Sequence, residues 1–372
     1  MTTTTALITG AGALAELGAE LTAAPAIGLD TEFMRERTYR AELCLLQVAS
    51  AGRAACVDPL ALESLAPLAA ALGPGGPVKV LHAARQDLEV LSAAIGRVEP
   101  VFDTQVAAAL AGFASQVGYA DLVRQLLGHD LPKAHTRTDW SRRPLSPDQL
   151  EYALDDVCHL LALRDCLLER LDRQGRLAWL DEELQAIADP QDFIVDPERA
   201  WQRLKGVHAL DAGRQRLAKA LAAWRERRAI ERNRPRGWIL DDAALKEIVA
   251  EVPRDPAALA ATAGLPAGVA QHSGAELLAL VQGADVPDPP PPLPRRGRPD
   301  AALTNAVKRL AEVTRQAAAE TGIGAEVLAP RRELERLAAG DHTIAALRGW
   351  RLGVVGERLL DSLQSGAGTS QP

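Results

Sequence analysis

The chain has 372 residues and a net charge of −7, and 47% of its residues are hydrophobic although only 3% are aromatic. This length predicts two or three domains, and the absence of an apolar run of roughly 18 residues argues against a membrane-spanning helix. The negative charge argues against indiscriminate coating of nucleic acid. The cysteines lie singly in apolar stretches, which predicts buried thiols in a cytoplasmic protein, with neither disulfides nor a zinc site; they are Cys44, Cys56, Cys158 and Cys166.

Strand and helix signals alternate over residues 1 to about 175. The strand signals are short runs rich in Val, Ile and Leu at residues 26–30, 43–49, 54–58 and 78–81. Helical stretches rich in Ala and Leu cover residues 60–72 and 87–95. This pattern predicts an α/β domain in which helices flank a mixed sheet. Because no helix separates the first three strands, we expect an antiparallel meander before the crossover.

The last helix of this domain has a clear start signal. Ser146 is expected to be the N-cap, Pro147 the first helical residue, and Gln149 the partner in a capping box. The helix then carries Tyr152 and Asp156 at positions i and i+4, which lie on one face. We therefore expect a rigid element that presents a phenol and a carboxylate side by side.

Strand signals vanish after about residue 212. Residues 213–283 read as several helices, and residues 286–294 form a proline-rich stretch that predicts a stiff, extended linker. Residues 300–364 are helical again and share a loose plan with the first helical region, which indicates a diverged duplication. We expect the final residues, 366–372, to be a disordered tail.

Four acidic residues define a candidate metal site. Asp30 and Glu32 stand at i and i+2 of a buried strand and would project to one side. Alone, each could be an ordinary acid that caps a turn. Together with Asp87 and Asp156 they would repel one another strongly unless cations were present. Hard oxygen ligands suit Mg²⁺ or Mn²⁺, and two such ions can clamp an in-line phosphoryl displacement.

Four motifs, the first of which contains Asp30 and Glu32, resemble those of a known family of nucleases. The motifs are residues 30–39 (DTEFMRERTY), 43–47 (LCLLQ), 101–105 (VFDTQ) and 139–145 (DWSRRPL). They resemble the exonucleases named for their Asp-Glu-Asp-Asp ligands plus a tyrosine, and within that group the ribonuclease D family. The resemblance implies a ribonuclease H-like 3′–5′ exonuclease domain followed by two small all-α domains similar to the helicase-and-RNase-D C-terminal (HRDC) domain.

The resemblance also implies domain boundaries and roles for the site residues. We expect an exonuclease domain at residues 1–175, a helical connector at 176–212, an HRDC domain at 213–285, a linker at 286–299 and a second HRDC-like domain at 300–365. By resemblance Asp30 bridges two metal ions, Glu32 helps to hold the ion that activates water, Asp87 is a looser ligand, and Asp156 completes the set. Tyr152 would orient the attacking water, since a phenol with a pKa near 10 is a poor base.

Several other residues allow two interpretations, a contact with substrate or a structural role. Phe33, Met34 and Tyr39 could stack on the terminal bases of a nucleic acid or could be core residues. His82 could contact substrate or could be a satisfied histidine at a strand end. Trp140 and Arg142 could meet phosphates or could belong to a surface loop. Asp155 and Asp103 fit no ligand position, and for Asp103 we expect a structural role.

The function implied is hydrolysis of RNA from the 3′ end with release of nucleoside 5′-monophosphates, which would trim tRNA precursors and other small structured RNAs. A DNA 3′–5′ exonuclease and a non-catalytic RNA-binding protein are the alternatives. Residues 225–236 carry six arginines, which form either a phosphate-binding patch or a solvated helix face. We expect a monomer that acts on RNA and does not bind membranes.

Overall fold

The computed structural model describes residues 6–132, 138–187, 195–283 and 301–367. The predicted linker at 286–299 and the end of the predicted tail, 368–372, lie outside the described residues. Two compact units are present, the first formed by segments 1–33, 43–190 and 298–372 and the second by 34–42 and 191–297. None of the helices within the described ranges has the length and apolar character needed to span a membrane.

The first unit contains a six-stranded mixed sheet with the strand order β1-β4-β3-β2-β5-β6. Strand β3 is antiparallel to β4, whereas β1–β4, β2–β5 and β5–β6 are parallel pairs. The central strand β3 is buried from residue 43 to residue 49, as expected for a sheet covered on both faces. The strands are Ala6–Ile8, Ala26–Met34, Glu42–Ser50, Arg53–Val57, Val78–Leu81 and Val101–Asp103.

The predicted mixed sheet is confirmed, with two strands that were not predicted. Strands β1 and β6 have three residues each, too few for a periodic pattern to be recognised. Strand β1 lies at the edge of the sheet and pairs with β4 in parallel, so the sheet contains a parallel pair on this side that the predicted meander and crossover do not include. The helix predicted over residues 60–72 forms only over its second half, as a 3₁₀ turn at Ala66–Leu68 that carries a proline in its first turn and leads into Ala69–Leu72.

Helices surround this sheet in the first unit. Ser146 caps α6 as predicted, with Pro147 in the first turn and both hydrogen bonds of the capping box to Gln149 present. The helices are α1 Ala11–Ala23, α2 Ala69–Leu72, α3 Arg85–Ile95, α4 Thr104–Leu110, α5 Tyr119–Leu127, α6 Pro147–Cys158, α7 Leu160–Arg173 and α8 Leu177–Ile187.

The expectation that all four cysteines are buried is wrong. Cys44 and Cys56 lie on the buried strands, and burial raises the pKa of the Cys56 thiol to about 12. Cys158 is exposed at the end of α6, and Cys166 is partly exposed. On a helix only one face is buried, so an apolar neighbourhood in sequence does not settle which way a single side chain points.

The last helices of the chain also belong to the first unit and pack against α8. Trp350 stacks on Trp179 with ring centroids 4.7 Å apart and donates its indole N–H to Glu183 at 2.8 Å. Arg351 pairs with the same glutamate. This region is therefore docked on the exonuclease part rather than free of it. Its helices are α14 Ala301–Thr321, α15 Ala325–Leu328, α16 Arg331–Ala338, α17 Gly349–Arg351 and α18 Glu357–Ala367.

The second unit is helical and has a core of its own. The several helices predicted over residues 213–283 are present, and α13 forms over Ala267–Val281 although Gly268 and Gly274 weaken its helical signal. A Cβ on Gly274 would lie 3.6 Å from the Leu259 side chain, an ordinary van der Waals distance. The helices of this unit are α9 Ala212–Arg232, α10 Arg236–Ile239, α11 Asp242–Glu251, α12 Pro256–Ala261 and α13 Ala267–Val281.

Candidate active site

Three of the predicted ligands meet where strand β2 faces helix α6. One carboxylate oxygen from each of Asp30, Glu32 and Asp156 can be chosen so that all lie within 4.8 Å of one another. The approach of the helix to the strand depends on Gly28, where a Cβ would lie 3.1 Å from the carbonyl oxygen of Val157. A side chain at residue 28 would hold the end of α6 away from β2, so this glycine allows Asp156 to reach the two strand acids.

The three carboxyl groups perturb one another. Burial, followed by the charges of Asp87, Asp156 and Glu32, raises the pKa of Asp30 well above its usual range. Burial and the charges of Asp156 and Asp87 raise the pKa of Glu32 to about 8. Burial raises the pKa of Asp156 to about 6. Such acids are costly to ionise together, and a bound cation would relieve that cost.

Asp87 lies beside this cluster but is not part of the three-carboxylate group. It is buried in the first turn of α3 and accepts a hydrogen bond from the Thr31 hydroxyl at 2.5 Å. Burial raises its pKa to about 6, although the Thr31 hydrogen bond opposes the shift. Its charge is still felt by Asp30 and Glu32. This position is consistent with the expected role of a looser ligand.

Asp103 has the structural role that was expected of it. Its carboxylate accepts backbone N–H groups from Ala83 and Ala84 at 3.0 and 2.8 Å, and it also caps α4 through Gln105. Ala83 has a φ of +58°, a conformation that a non-glycine residue adopts only when its surroundings hold it there. Asp103 therefore fixes the turn that starts α3 and places Asp87.

Tyr152 points at the acid cluster. Its hydroxyl is hydrogen-bonded to Asp156, and its ring is stacked on Trp140 with a centroid distance of 6.2 Å and an interplanar angle of 27°. Burial and the charges of Asp156 and Glu32 raise the pKa of Tyr152 above its usual value. The phenol is therefore a stable hydrogen-bond donor at neutral pH and not a base.

An arginine clamp holds the loop that carries Trp140. The guanidinium of Arg143 donates two hydrogen bonds of 2.7 Å to Asp58, one of 2.6 Å to the Cys44 carbonyl and one of 2.7 Å to the Trp140 carbonyl. Burial would raise the pKa of Asp58, but the hydrogen bonds from Arg143 outweigh it and hold that pKa below its usual value. This bidentate pair fastens the loop to strands β3 and β4 and so supports the ring of Tyr152 from behind.

The predicted substrate contacts are dispersed. Trp140 is only 5% exposed, so it serves as a wall for Tyr152 and does not meet phosphates from an open surface. His82 has both ring nitrogens occupied, Nδ1 by the Thr104 hydroxyl at 2.8 Å and Nε2 by the Val117 carbonyl at 2.9 Å, which is the satisfied strand-end histidine of the alternative reading. Phe33 and Met34 are partly exposed, and Arg142 is exposed.

Tyr39 is placed in the second unit and not among the acids. Its ring packs against the core of that unit, and its hydroxyl donates a hydrogen bond to the buried carboxylate of Glu226. Burial followed by this hydrogen bond raises the pKa of Tyr39. The expected stacking of Tyr39 on bases is therefore replaced by a packing role.

Sequence reasoning did not single out several supporting residues. Gly28, Thr31 and Arg143 lie in or next to the quoted motifs, but nothing in their spacing indicates what they touch. Tyr119 is also unexpected. Its hydroxyl donates to the Asp155 carbonyl at 3.0 Å and accepts the N–H of His159 at 3.3 Å, at the break between α6 and α7.

Comparison with known proteins supports an exonuclease domain followed by an HRDC domain. A family described as 3′-5′ exonuclease matches residues 6–172, and the HRDC domain family matches residues 214–281. Ribonuclease D of Granulibacter bethesdensis is 41% identical over 364 residues, covering 95% of this chain and 91% of that protein. Ribonuclease D of Gluconacetobacter diazotrophicus is 42% identical over 344 residues, covering 90% of this chain and 87% of that protein.

A solved structure resembles nearly the whole chain. The crystal structure of Escherichia coli RNase D, described as an exoribonuclease involved in structured RNA processing, has a TM-score of 0.87 and 31% identity. The similarity covers 97% of this chain and 99% of that one. The ribonuclease H-like exonuclease fold and one HRDC domain are thus established for this chain.

Proposed function

Because this chain belongs to the ribonuclease D family of 3′–5′ exoribonucleases, we propose that its acid cluster removes nucleotides from RNA one at a time as nucleoside 5′-monophosphates. The observation that carries the proposal is the grouping of Asp30, Glu32 and Asp156 within 4.8 Å beside the hydroxyl of Tyr152. A cluster of buried acids with raised pKa values has a large electrostatic cost, and functional sites are where such costs are found.

The donor set fits divalent cations of the hard type. Asp30, Glu32, Asp87 and Asp156 would hold two Mg²⁺ or Mn²⁺ ions, since all four offer carboxylate oxygens and no thiolate or imidazole joins them in the described cluster. When bound, such ions act as Lewis acids toward the phosphate and toward water, and they offset the negative charge of the transition state.

The protein's own groups position the reactants. Tyr152 remains protonated and donates its single O–H to Asp156, so its hydroxyl oxygen can accept a hydrogen bond from the attacking water, while the Trp140 ring keeps the phenol from swinging away. The hydrogen bond to Asp156 fixes the direction of the hydroxyl. Phe33, Met34 and Arg142 are partly or fully exposed and are the residues we propose to contact the 3′-terminal nucleotides.

The proposed substrates are 3′ extensions of tRNA precursors and other small structured RNAs. The relative from Escherichia coli is described as acting in structured RNA processing. An HRDC domain at residues 214–281 would provide a second nucleic-acid contact for a substrate larger than a few nucleotides.

We also propose that the last helical region is a second HRDC-like domain. In the HRDC domain the 21-residue helix α9 is followed after a short gap by the four-residue helix α10. The 21-residue helix α14 is followed in the same way by the four-residue helix α15. The boundaries 1–175, 176–212, 213–285, 286–299 and 300–365 are retained as part of this proposal, whereas the tail predicted at 366–372 overlaps the end of α18, which continues to Ala367.

The test compares matched RNA and DNA oligonucleotides and a 3′-extended tRNA, each incubated with wild-type protein and Mg²⁺. We expect stepwise shortening of the RNAs from the 3′ end, with nucleoside 5′-monophosphates as products. Asp30→Asn should abolish this activity, while Asp155→Asn is the matched control because Asp155 neighbours Asp156 and lies outside the cluster. Equal activity of Asp30→Asn and wild type, or full activity in excess EDTA, would refute the proposal, and a preference for DNA would favour the alternative exonuclease.

A further inference from the structure

A cleft in the HRDC domain has the chemistry of a nucleotide-binding site. It has a volume of about 410 Å³, within the range of roughly 300–1,000 Å³ typical of ligand pockets. Helices α9, α10 and α13 all contribute to its walls, and the residues that matter here are Trp224, Arg228, Arg232, Trp238 and His272. This cleft lies entirely within the second unit, in the region matched by the HRDC family.

Trp238 is the most unusual residue of the cleft. It is 58% exposed, and the only other large hydrophobic side chain exposed to a similar extent in the described ranges is Leu60 at 42%. Aromatic residues make up only 3% of the chain, so an indole left open to solvent is not explained by an excess of such residues. The other tryptophan of the cleft, Trp224, is buried and donates its indole N–H to Glu276 at 2.6 Å.

The charge around Trp238 is positive. Arg228 and Arg232 line the cleft, and within the described residues no carboxylate lines it. Arg228 is neutralised by Glu276, but Arg232 forms no ion pair within the described part of the chain. The guanidinium of Arg234 lies 5.8 Å from the centre of the Trp238 ring. Cations beside an open aromatic face, in a protein with a net charge of −7, indicate an anionic ligand that also stacks.

His272 adds a hydrogen-bonding edge. Its Nδ1 donates to the carbonyl of Gly268 at 2.8 Å, one turn earlier in α13, which leaves Nε2 as an acceptor when the ring is neutral. A nucleobase has N–H groups that can donate a hydrogen bond to this nitrogen. The walls therefore combine a stacking face, a polar edge and two cations.

Resting on the exoribonuclease function proposed above, we propose that this cleft binds an unpaired nucleotide of the RNA, with its base on Trp238 and its phosphates near Arg232 and Arg234. A stacked base accounts for the exposed indole, and a phosphate accounts for arginines without acidic partners. The cleft thus holds RNA at a point distinct from the carboxylates that carry out hydrolysis. A peptide without acidic side chains would use the indole but not the unpaired cations.

The test measures binding of a fluorescently labelled single-stranded RNA to the full chain in EDTA, where hydrolysis cannot interfere. We expect Trp238→Ala to weaken binding by about fivefold to a hundredfold, and Trp238→Phe to retain most of the affinity because it keeps an aromatic face. Leu60→Ala is the matched control, since it removes the other exposed large hydrophobic side chain and should bind as wild type does.

Two further measurements separate stacking from phosphate contact. Arg232→Gln should reduce the slope of log affinity against log salt by about 0.7, the value for one phosphate contact on a single strand, whereas exposed Arg254→Gln should leave it unchanged. RNA containing 4-thiouridine should crosslink under near-ultraviolet light to the peptide that contains Trp238. This readout does not depend on how any variant folds.

The outcomes distinguish this proposal from the one on which it rests. Loss of affinity in Trp238→Ala, with crosslinks at the cleft, would support it. Unchanged affinity in Trp238→Ala and Trp238→Phe, together with crosslinks confined elsewhere, would overturn it even if the protein degrades RNA normally in Mg²⁺. If the wild-type protein binds RNA through the cleft but does not shorten it, the proposed exonuclease function fails and the cleft stands.

Discussion

Replacing Glu32 with glutamine should make the metal-free protein more stable at neutral pH while it destroys the proposed activity. The pKa of Glu32 is raised from 4.5 to about 8 in the folded protein, by burial and by the charges of Asp156 and Asp87. A group whose folded pKa is raised supports folding fully below its unfolded pKa and loses that support as the pH rises toward the folded value. Metal-free wild-type protein should therefore lose stability between pH 4.5 and pH 8.

The size of this effect follows from the shift. At pH 7 the folded protein keeps Glu32 largely protonated, whereas the unfolded chain releases the proton with a pKa of 4.5. Holding the proton 2.5 pH units above that pKa costs about 3.4 kcal/mol, at 1.36 kcal/mol per unit. Solvent near this partly buried side chain reduces the cost, so we expect Glu32→Gln to add about 2–3 kcal/mol at pH 7 and less than about 1 kcal/mol at pH 5.

The assay is urea unfolding at pH 5, 6, 7 and 8, in EDTA and then in Mg²⁺. In EDTA the stability difference between Glu32→Gln and wild type should grow with pH, while the exposed Glu63→Gln control should track wild type at every pH. Adding Mg²⁺ should stabilise wild type more than the variant. Wild type should gain about 2.7 kcal/mol of unfolding free energy at a hundredfold excess of Mg²⁺ over Kd, and Glu32→Gln should gain less because it has lost a ligand. A variant less stable than wild type in EDTA at pH 7 would refute the reasoning.

Three further predictions concern the supports of the site and of the C-terminal helices. Tyr152→Phe should lower single-turnover hydrolysis at least tenfold and leave RNA affinity in EDTA unchanged, because the hydroxyl orients water only in the transition state; a parallel loss of affinity would make Tyr152 a substrate clamp. Arg143→Lys should lower the free energy of unfolding by about 1–3 kcal/mol, since an ammonium with three donors cannot reproduce the two-point contact with Asp58 together with the two carbonyl contacts, and denaturant unfolding that matches wild type would contradict the clamp. Trp350→Ala should lower the free energy of unfolding by about 3–5 kcal/mol, because it removes the stack on Trp179. An unchanged denaturant unfolding transition would show that this packing is weak in solution.

The docking of the C-terminal helices bears on how the role of the HRDC domain can be tested. Deleting the chain from residue 213 onward would expose Trp179 and remove the partners of Glu182 and Glu183 on α8. Low activity of the truncated protein could then arise either from damage to the exonuclease domain or from a lost RNA contact, and the deletion would not distinguish the two. Point substitutions in the Trp238 cleft avoid this difficulty, because they leave the α8 contacts in place.

Much of the fold and the acid cluster could be predicted from sequence because the signals are local. The buried strand at 26–30, the capping box at Ser146 and the i, i+4 spacing of Tyr152 and Asp156 each follow from a few adjacent residues. The positions of β1 and β6 could not, because three-residue strands carry no periodicity.

The errors concern side chains whose partners are distant in sequence. Tyr39 lies 187 residues from Glu226, and Trp140 is aromatic within a polar loop, so both look like surface ligands when read alone. Arg143 was not singled out from the sequence, and its role follows from five hydrogen bonds, two to Asp58 and three to backbone carbonyls. In each case a tertiary contact decides the role, and one sequence does not encode tertiary contacts in its spacing.

Substitution should change the stability of the metal-free protein in opposite directions for two classes of residue, those that hold the acids together and the acids themselves. Gly28 lets α6 approach β2, Asp103 fixes the turn before Asp87, and Arg143 fastens the loop behind Tyr152. These contacts stabilise a fold that mutual repulsion of the carboxylates destabilises. Loss of a support should therefore lower stability and metal affinity together, whereas loss of an acid should lower metal affinity and raise metal-free stability. Measuring metal affinity and metal-free stability for variants of both classes therefore separates residues that support the site from residues that bind the metal.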